Sequence, residues 1–202
     1  MQDLRIIGIG GLPRSGKDSL AEIFIQKGFF GVSLGDIIRD ESRTRHADAP
    51  DPISVANMTE TSNWLRTEHG PDFALREALN RYEKAQDENG QNYKGLVVFS
   101  VRAPIEADFI LRHGGELIWT EASDETRYER YVHHLREGEV AISIEDMQAQ
   151  EALQWRPQSD LPAEVQMNVA YVKEKATQVF ENNFPTLEEF QSAAHRLVDG
   201  IA

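Results

Sequence analysis

Apolar residues fall into short runs that alternate with longer amphipathic stretches along this chain. Residues 4–10 are a compact apolar run bounded by glycine, which reads as a buried strand. Residues 17–27 then place Leu20, Ile23 and Phe24 at helical spacing. A second strand is read at 31–34 and an Arg-rich helix at 36–46. Asp48-Ala49-Pro50-Asp51-Pro52 is a loop by its prolines and acids. Helices follow at 54–68 and 71–87, separated by His69-Gly70-Pro71, and Glu88-Asn89-Gly90-Gln91-Asn92 is a turn. The third strand is read at 96–99, a helix opened by Pro104 runs to His113, and the fourth strand is 116–120. Ser123 caps a charged helix over 124–137, with Asp124 and Glu125 in the first turn, where the helix dipole favours acids. Ser143-x-x-Asp146 opens another helix to Trp155, residues 156–162 are a loop, and a fifth strand is read at 177–181. Thr186-x-x-Glu189 is a capping box that starts a last helix, with Leu187, Phe190, Ala194, Leu197 and Val198 on one face.

Strands separated by helices imply a parallel sheet covered on both faces, an α/β fold of three layers around five strands. Ligands of such sheets bind at the carboxyl ends of the strands. With 202 residues and no repeat, low-complexity tract or linker, residues 1–202 are expected to form a single domain. A net charge of −13 argues against a nucleic-acid surface, which needs clustered Lys and Arg, but leaves room for one small phosphate ligand. The absence of cysteine excludes disulfides, thiolate catalysis and thiolate metal sites. No apolar stretch is long enough to span a bilayer, and no basic region with an apolar run opens the chain, so the expected place is the cytosol.

The chemistry concentrates in Ile6-Ile7-Gly8-Ile9-Gly10-Gly11-Leu12-Pro13-Arg14-Ser15-Gly16-Lys17-Asp18-Ser19. An apolar strand runs into Gly11-x-x-x-x-Gly16-Lys17 and then into an amphipathic helix, the context of a phosphate-binding loop. The glycines let backbone N–H groups converge as an anion nest, Lys17 adds a charge, and the helix N-terminus faces the same spot. Arg14 and Ser15 lie inside the loop, as phosphate donors or, for Arg14, as a solvated loop residue. The Ser or Thr that usually follows the lysine and holds Mg²⁺ is here Asp18, with Ser19 one place later. One residue along a helix is a rotation of about 100°, so Ser19 is no simple substitute.

The loop, with Arg14-Ser15-Gly16 before Lys17-Asp18-Ser19, resembles that of phage-type deoxynucleoside monophosphate kinases. Ser100-Val101-Arg102-Ala103-Pro104-Ile105-Glu106-Ala107-Asp108 with Gly114-Gly115 is similar to a second segment of the same enzymes. Ser33-Leu34-Gly35-Asp36-Ile37-Ile38-Arg39 is similar to a segment of adenylate kinases. Leu65-Arg66-x-x-x-Gly70-Pro71 and Thr186-Leu187-Glu188-Glu189-Phe190 resemble an archaeal group of adenylate-kinase-like and dephospho-CoA-kinase-like proteins. The resemblance implies a P-loop NTPase fold with a helical acceptor-binding region near 36–90 and a lid near 123–160. It implies ATP and Mg²⁺ at Gly11, Arg14, Ser15, Gly16, Lys17, Asp18 and Ser19, and small-molecule nucleotide substrates. Arg39 and Arg102 would grip the acceptor's phosphate; each guanidinium can bond two oxygens and stays charged. Lys17, Arg127 and Arg136 would act on the transferring phosphoryl group, the two arginines from a lid that excludes water. Glu also alternates with Arg there, as in an ordinary exposed, salt-bridged helix.

Where the resembled kinases carry an acid at the end of the third strand, this chain has Ser100. Acid and hydroxyl are thus exchanged between Ser100 and Asp18, and both are candidates for approaching Mg²⁺; the alternative is a protein that binds nucleotide with little turnover. Asp36 would bond an acceptor, serve as base for a hydroxyl acceptor as in a dephospho-CoA kinase, or merely start a helix. Trp64 would stack an acceptor base or anchor the core, and adjacent His133 and His134 diverge on a helix and read as surface. No His-Glu-x-x-His pattern and no GTPase Asn-Lys-x-Asp occur. The function expected is transfer of the ATP γ-phosphate to a nucleoside or deoxynucleoside monophosphate.

Overall fold

The computed structural model describes residues 4–89, 92–135, 141–158 and 160–201. Five strands, β1 (Ile6–Gly11), β2 (Phe30–Ser33), β3 (Leu96–Val101), β4 (Glu116–Glu121) and β5 (Gln178–Glu181), form one sheet in the order β2-β3-β1-β4-β5. All four pairings are parallel. The expected α/β architecture is therefore present.

Alternation along the strands divides the core. Ile6, Leu96, Val98, Leu117 and Trp119 face one layer, together with Ile37, Leu75, Ala107, Ile110 and Val172. Ile7, Ile9, Val97 and Ile118 face the other, against Leu20, Phe24, Phe190, Ala194 and Val198. The first layer thus takes α2 (Leu34–Arg45), α4 (Phe73–Asn89), α5 (Pro104–Arg112) and α8 (Val169–Lys175). The second takes α1 (Lys17–Gln26) and α9 (Leu187–Ile201). Gly8 permits the close approach of α5, since a Cβ there would lie 2.4 Å from Ile110 Cδ1.

Three helices stand nearer the ligand edge: α3 (Val55–His69) against α2, and α6 (Asp124–His133) against α7 (Ile144–Trp155). Ser33, Ser54, Ser123 and Ser143 each accept a backbone N–H at a helix start. Ser33 starts α2 at Leu34, two residues before the expected Asp36. The short helix α8 falls in a stretch without a reading from sequence, because it has fewer than two full turns of pattern. It crosses from the α6–α7 pair back to the sheet and packs on β1, β4 and α5.

The strand order sets β1 and β3 side by side in the sheet's middle, so the loop after Gly11 and the segment after Ser100 adjoin. Their register slips there: Ile9 pairs with Phe99, but Gly10 pairs with Val101. Ser100 is the extra residue and adopts φ 64°, in the left-handed region rarely used by serine. No described helix is long and apolar enough to cross a membrane.

Phe24 is fully buried and meets Phe29 edge-on, with ring centroids 5.5 Å apart. Phe24→Ala is expected to destabilise the fold by about 3–5 kcal/mol, measured as a lowered urea midpoint with an unchanged slope.

Candidate functional site

The carboxyl ends of the strands gather the chemistry on one edge of the sheet. After β1 the chain turns through Leu12, Pro13, Arg14 and Ser15 into α1, with Ser15 N donating to Leu12 O at 3.2 Å. Arg14 (φ 64°) and Gly16 (φ 94°) are both left-handed. Gly16 has to be glycine twice over: its backbone is left-handed, and a Cβ would lie 2.2 Å from Asn182 Nδ2. Lys17 begins α1 and is only 5% exposed, with Nζ 3.5 Å from the Asp18 carboxylate. Asp18 and Ser19 are exposed at the same helix start. Ser15 is buried, and its hydroxyl has no hydrogen-bond partner among the described residues.

Beside this loop lies a second centre. A narrow cleft is walled by Leu34, Ile38, Met58 and Met167 and by polar groups of Ser100, Arg102 and Arg66. Burial lowers the Arg102 pKa from its usual value; the Arg39 and Arg66 charges add to this, while Glu106 and Asp18 oppose it. Arg39, Arg66, Arg102 and Asp18 therefore share one electrostatic neighbourhood. Arg39 also meets Asp36 one turn back on α2, and Arg102 Nη1 donates to Gln154 Oε1 at 2.9 Å.

Glu106 organises this centre and is 1% exposed. Its Oε2 accepts the N–H groups of Arg102 at 2.8 Å and Ala103 at 2.9 Å, capping α5. Its Oε1 accepts from Arg66 Nη2 at 2.9 Å. Arg66 is buried too and also donates to Ser62 Oγ, while its Nε and the nearby Thr59 Oγ1 have no partner among the described residues.

On the other side of the loop stands α6. Arg127 is 1% exposed; its guanidinium donates to Asp124 Oδ1 at 2.6 Å, to both oxygens of Glu151 and to Pro13 O at 3.3 Å. Burial works against its charge, and the two carboxylates overcome this and raise its pKa. The exposed-helix alternative thus does not describe Arg127. Arg136 lies outside the described residues. His133 and His134 are exposed, as expected of surface residues. Trp64 is half-buried, with the Arg45 guanidinium 4.2 Å over its ring.

Three of the expected residues, Arg39, Arg102 and Asp18, thus come within electrostatic reach of one another beside Lys17 and Ser100. Sequence reasoning passed over Arg66 and Glu106 as site residues, although both stood inside quoted segments. It also passed over Arg130 and Asn182, whose side chains reach the loop from α6 and from the end of β5.

With five parallel strands, flanking helices and a glycine loop between β1 and α1, the chain has the fold seen in P-loop kinases. Shikimate kinase from Bacteroides thetaiotaomicron superposes with a TM-score of 0.55 at 14% identity, covering 98% of each chain. Dephospho-CoA kinase from Campylobacter jejuni gives 0.50 at 15% identity, over 99% of this chain and 98% of that one. In sequence the chain is similar to archaeal UPF0200 proteins, as the archaeal resemblance led one to expect. The similarity is 29% over 135 residues with that of Methanococcus vannielii, 66% of this chain and 69% of the relative. It is 31% over 137 residues with that of Methanocaldococcus jannaschii, 67% of this chain and 66% of the relative. No family model matches the chain.

Glu106→Ala leaves the Arg66 guanidinium buried without its carboxylate and uncaps α5. A loss of about 3–5 kcal/mol is expected, read as unfolding free energy in urea. A hydrogen bond from Arg127 holds the Asp124 carboxyl below its ordinary pKa of 3.8, with Gln148 adding a second. A depressed acid stabilises the fold above its unfolded pKa and loses that contribution as pH falls through the folded one. Asp124→Asn is therefore expected to show a shallower loss of thermal stability below about pH 4 than the parent.

Proposed function

We propose that this chain is an ATP-dependent phosphotransferase whose acceptor already carries a phosphate, a nucleoside or deoxynucleoside monophosphate. The observation that carries the reading is the pairing of Arg66 and Arg102 in one cleft wall, with the Arg39 and Asp18 charges near enough to act on Arg102. Like charges held together at the cost of their solvation are relieved by an anion, and a phosphate has the charge and the oxygens to do so. The ATP phosphates would lie in the nest of Gly11, Arg14, Ser15, Gly16, Lys17, Asp18 and Ser19. The acceptor phosphate would lie against Arg39 and Arg102, with its remainder in the cleft between α2 and α3. Its oxygen attacks the γ-phosphorus in line as the bond from that phosphorus to the β,γ-bridging oxygen breaks and ADP leaves; the chain supplies position and positive charge rather than a nucleophile.

Hard oxygen donors suit Mg²⁺, which is commonly held by one or two carboxylates together with substrate phosphates. Among the described residues no three His, Cys, Asp or Glu gather as a dedicated metal cage. The Asp18 carboxylate beside Lys17, the Ser100 hydroxyl and the nucleotide's own phosphates fit the ion, whose chemistry is to neutralise charge on the transferring group. Arg127, paired with Asp124 and Glu151, holds Pro13 O from behind the loop rather than meeting the phosphates, and Arg136 would act as a lid arginine.

A second reading has a hydroxyl acceptor with Asp36 as base, in the manner of a dephospho-CoA kinase. The ion pair of Asp36 with Arg39 favours the first, because it commits that carboxylate to the arginine. The test is ADP release with ATP, Mg²⁺ and a panel of ribo- and deoxynucleoside monophosphates and dephospho-CoA. One monophosphate is expected to turn over. Lys17→Ala should lower kcat at least a hundredfold. Arg102→Ala should lower kcat/KM for the acceptor about ten- to a hundredfold with little change in the KM for ATP. Turnover on dephospho-CoA alone selects the second reading, and tight ATP binding without acceptor-dependent turnover sinks both.

A further inference from the structure

Three successive carbonyls of the phosphate loop are held from behind by side chains of other elements. Pro13 O accepts from Arg127 Nη1 at 3.3 Å, Arg14 O from Arg130 Nη1 at 3.2 Å, and Ser15 O from Asn182 Nδ2 at 2.7 Å. The last two are one unit, since Arg130 Nη2 donates to Asn182 O at 2.9 Å and Asn182 Oδ1 at 3.1 Å. Asn182 is itself fixed: it is 2% exposed, and its N–H donates to Glu121 O at 2.7 Å. Arg127, Arg130 and Tyr131 lie on one face of α6, and the Arg14 guanidinium lies 5.6 Å from the Tyr131 ring centroid.

A trans peptide points its C=O and the next residue's N–H in opposite directions, and the described chain has no cis bond. Drawing Pro13 O and Ser15 O toward α6 and β5 therefore drives the N–H groups of Arg14 and Gly16 to the opposite side. Arg14 and Gly16 also both have left-handed backbones. Such conformations persist where surrounding contacts over-determine them.

We propose that Arg130 and Asn182 are positioning residues of the nucleotide site. They set the phosphate nest before ligand arrives, by holding the loop's carbonyls outward, and so raise affinity for the triphosphate. This rests on the reading of residues 11–19 as a nucleotide loop. The part of α6 expected to act as a lid is thereby coupled to the loop: any movement of α6 away from it breaks the bonds to Pro13 and Arg14.

The test compares the parent protein with Asn182→Asp, Arg130→Lys and Lys17→Ala. Calorimetric titration uses ATP and, separately, inorganic tripolyphosphate. Amide hydrogen exchange is followed in the ligand-free proteins. Asn182→Asp replaces the donor by a carboxylate facing Ser15 O. It should weaken both ligands about tenfold or more and speed exchange at residues 14–16 without speeding it in β3. Arg130→Lys keeps charge but loses the fork, and should fall between. Lys17→Ala should weaken binding without speeding exchange at 14–16, separating a phosphate contact from a positioning role. Should Asn182→Asp not fold, Asn182→Ser removes the same reach with less disturbance. Parent-like affinity with parent-like exchange in both Asn182→Asp and Arg130→Lys overturns the proposal, as does an affinity loss accompanied by faster exchange throughout the sheet. A parent protein that binds neither ligand overturns the nucleotide reading instead, and the exchange comparison still decides whether these side chains hold the loop.

Discussion

A phosphate nest is a set of backbone N–H groups pointing the same way, and a peptide chain does not hold that arrangement unaided. Every inward N–H implies an outward C=O, and each such carbonyl needs a partner of its own. Here Arg127, Arg130 and Asn182 supply those partners from α6 and the end of β5. Much of the architecture follows from that need. The sheet brings β1 next to β4, and β4 next to β5, so Asn182 emerges behind Ser15. Glu151 and Asp124 are then required to keep Arg127 charged inside the protein, which ties α7 to α6 and both to the loop.

The cleft poses a different problem, that of keeping arginines close together inside the protein. Glu106 does so by spending one oxygen on Arg66 and the other on the N-terminus of α5. A buried pair of this kind adds little net stability compared with apolar packing, but losing either partner is costly. It therefore makes better sense as a way to fix where Arg102 leaves β3 than as a source of stability. The two centres meet at Asp18, whose negative charge is felt by Arg102 while its oxygen lies beside Lys17.

The layered fold was legible because its strands are short apolar runs bounded by turn residues, while α1 and α9 carry a clean period of 3.6. The phosphate loop was legible because it is local: strand, glycines and lysine lie within a dozen residues. Helix α8 was not, since VAYVKEK is too short to show a period and its cap, Asn168, is a common loop residue. Arg66 and Glu106 sit forty positions apart, and Arg130 and Asn182 fifty-two; nothing in either local pattern announces such a pairing. Arg127 shows the limit most clearly. On α6 its spacing among glutamates has the form of an exposed ion-pair ladder, yet the loop and α7 bury it. An arginine near a glycine loop can be read as a ligand contact or as scaffolding, and only its acceptors distinguish the two.

Ser100 carries the remaining tension. It sits at the slip between β1 and β3, left-handed, with its hydroxyl against the start of α2: a Cβ on Gly35 would lie 3.3 Å from Ser100 Oγ. A residue held in that conformation costs stability of order 1–3 kcal/mol, which the surrounding sheet must offset. The bulge places its side chain in the cleft wall, beside Gly35 at the start of α2. An acid at this point would add a second carboxylate within the neighbourhood that Asp18 already occupies. With Asp18 present, a hydroxyl keeps an oxygen there without a second negative charge in that neighbourhood.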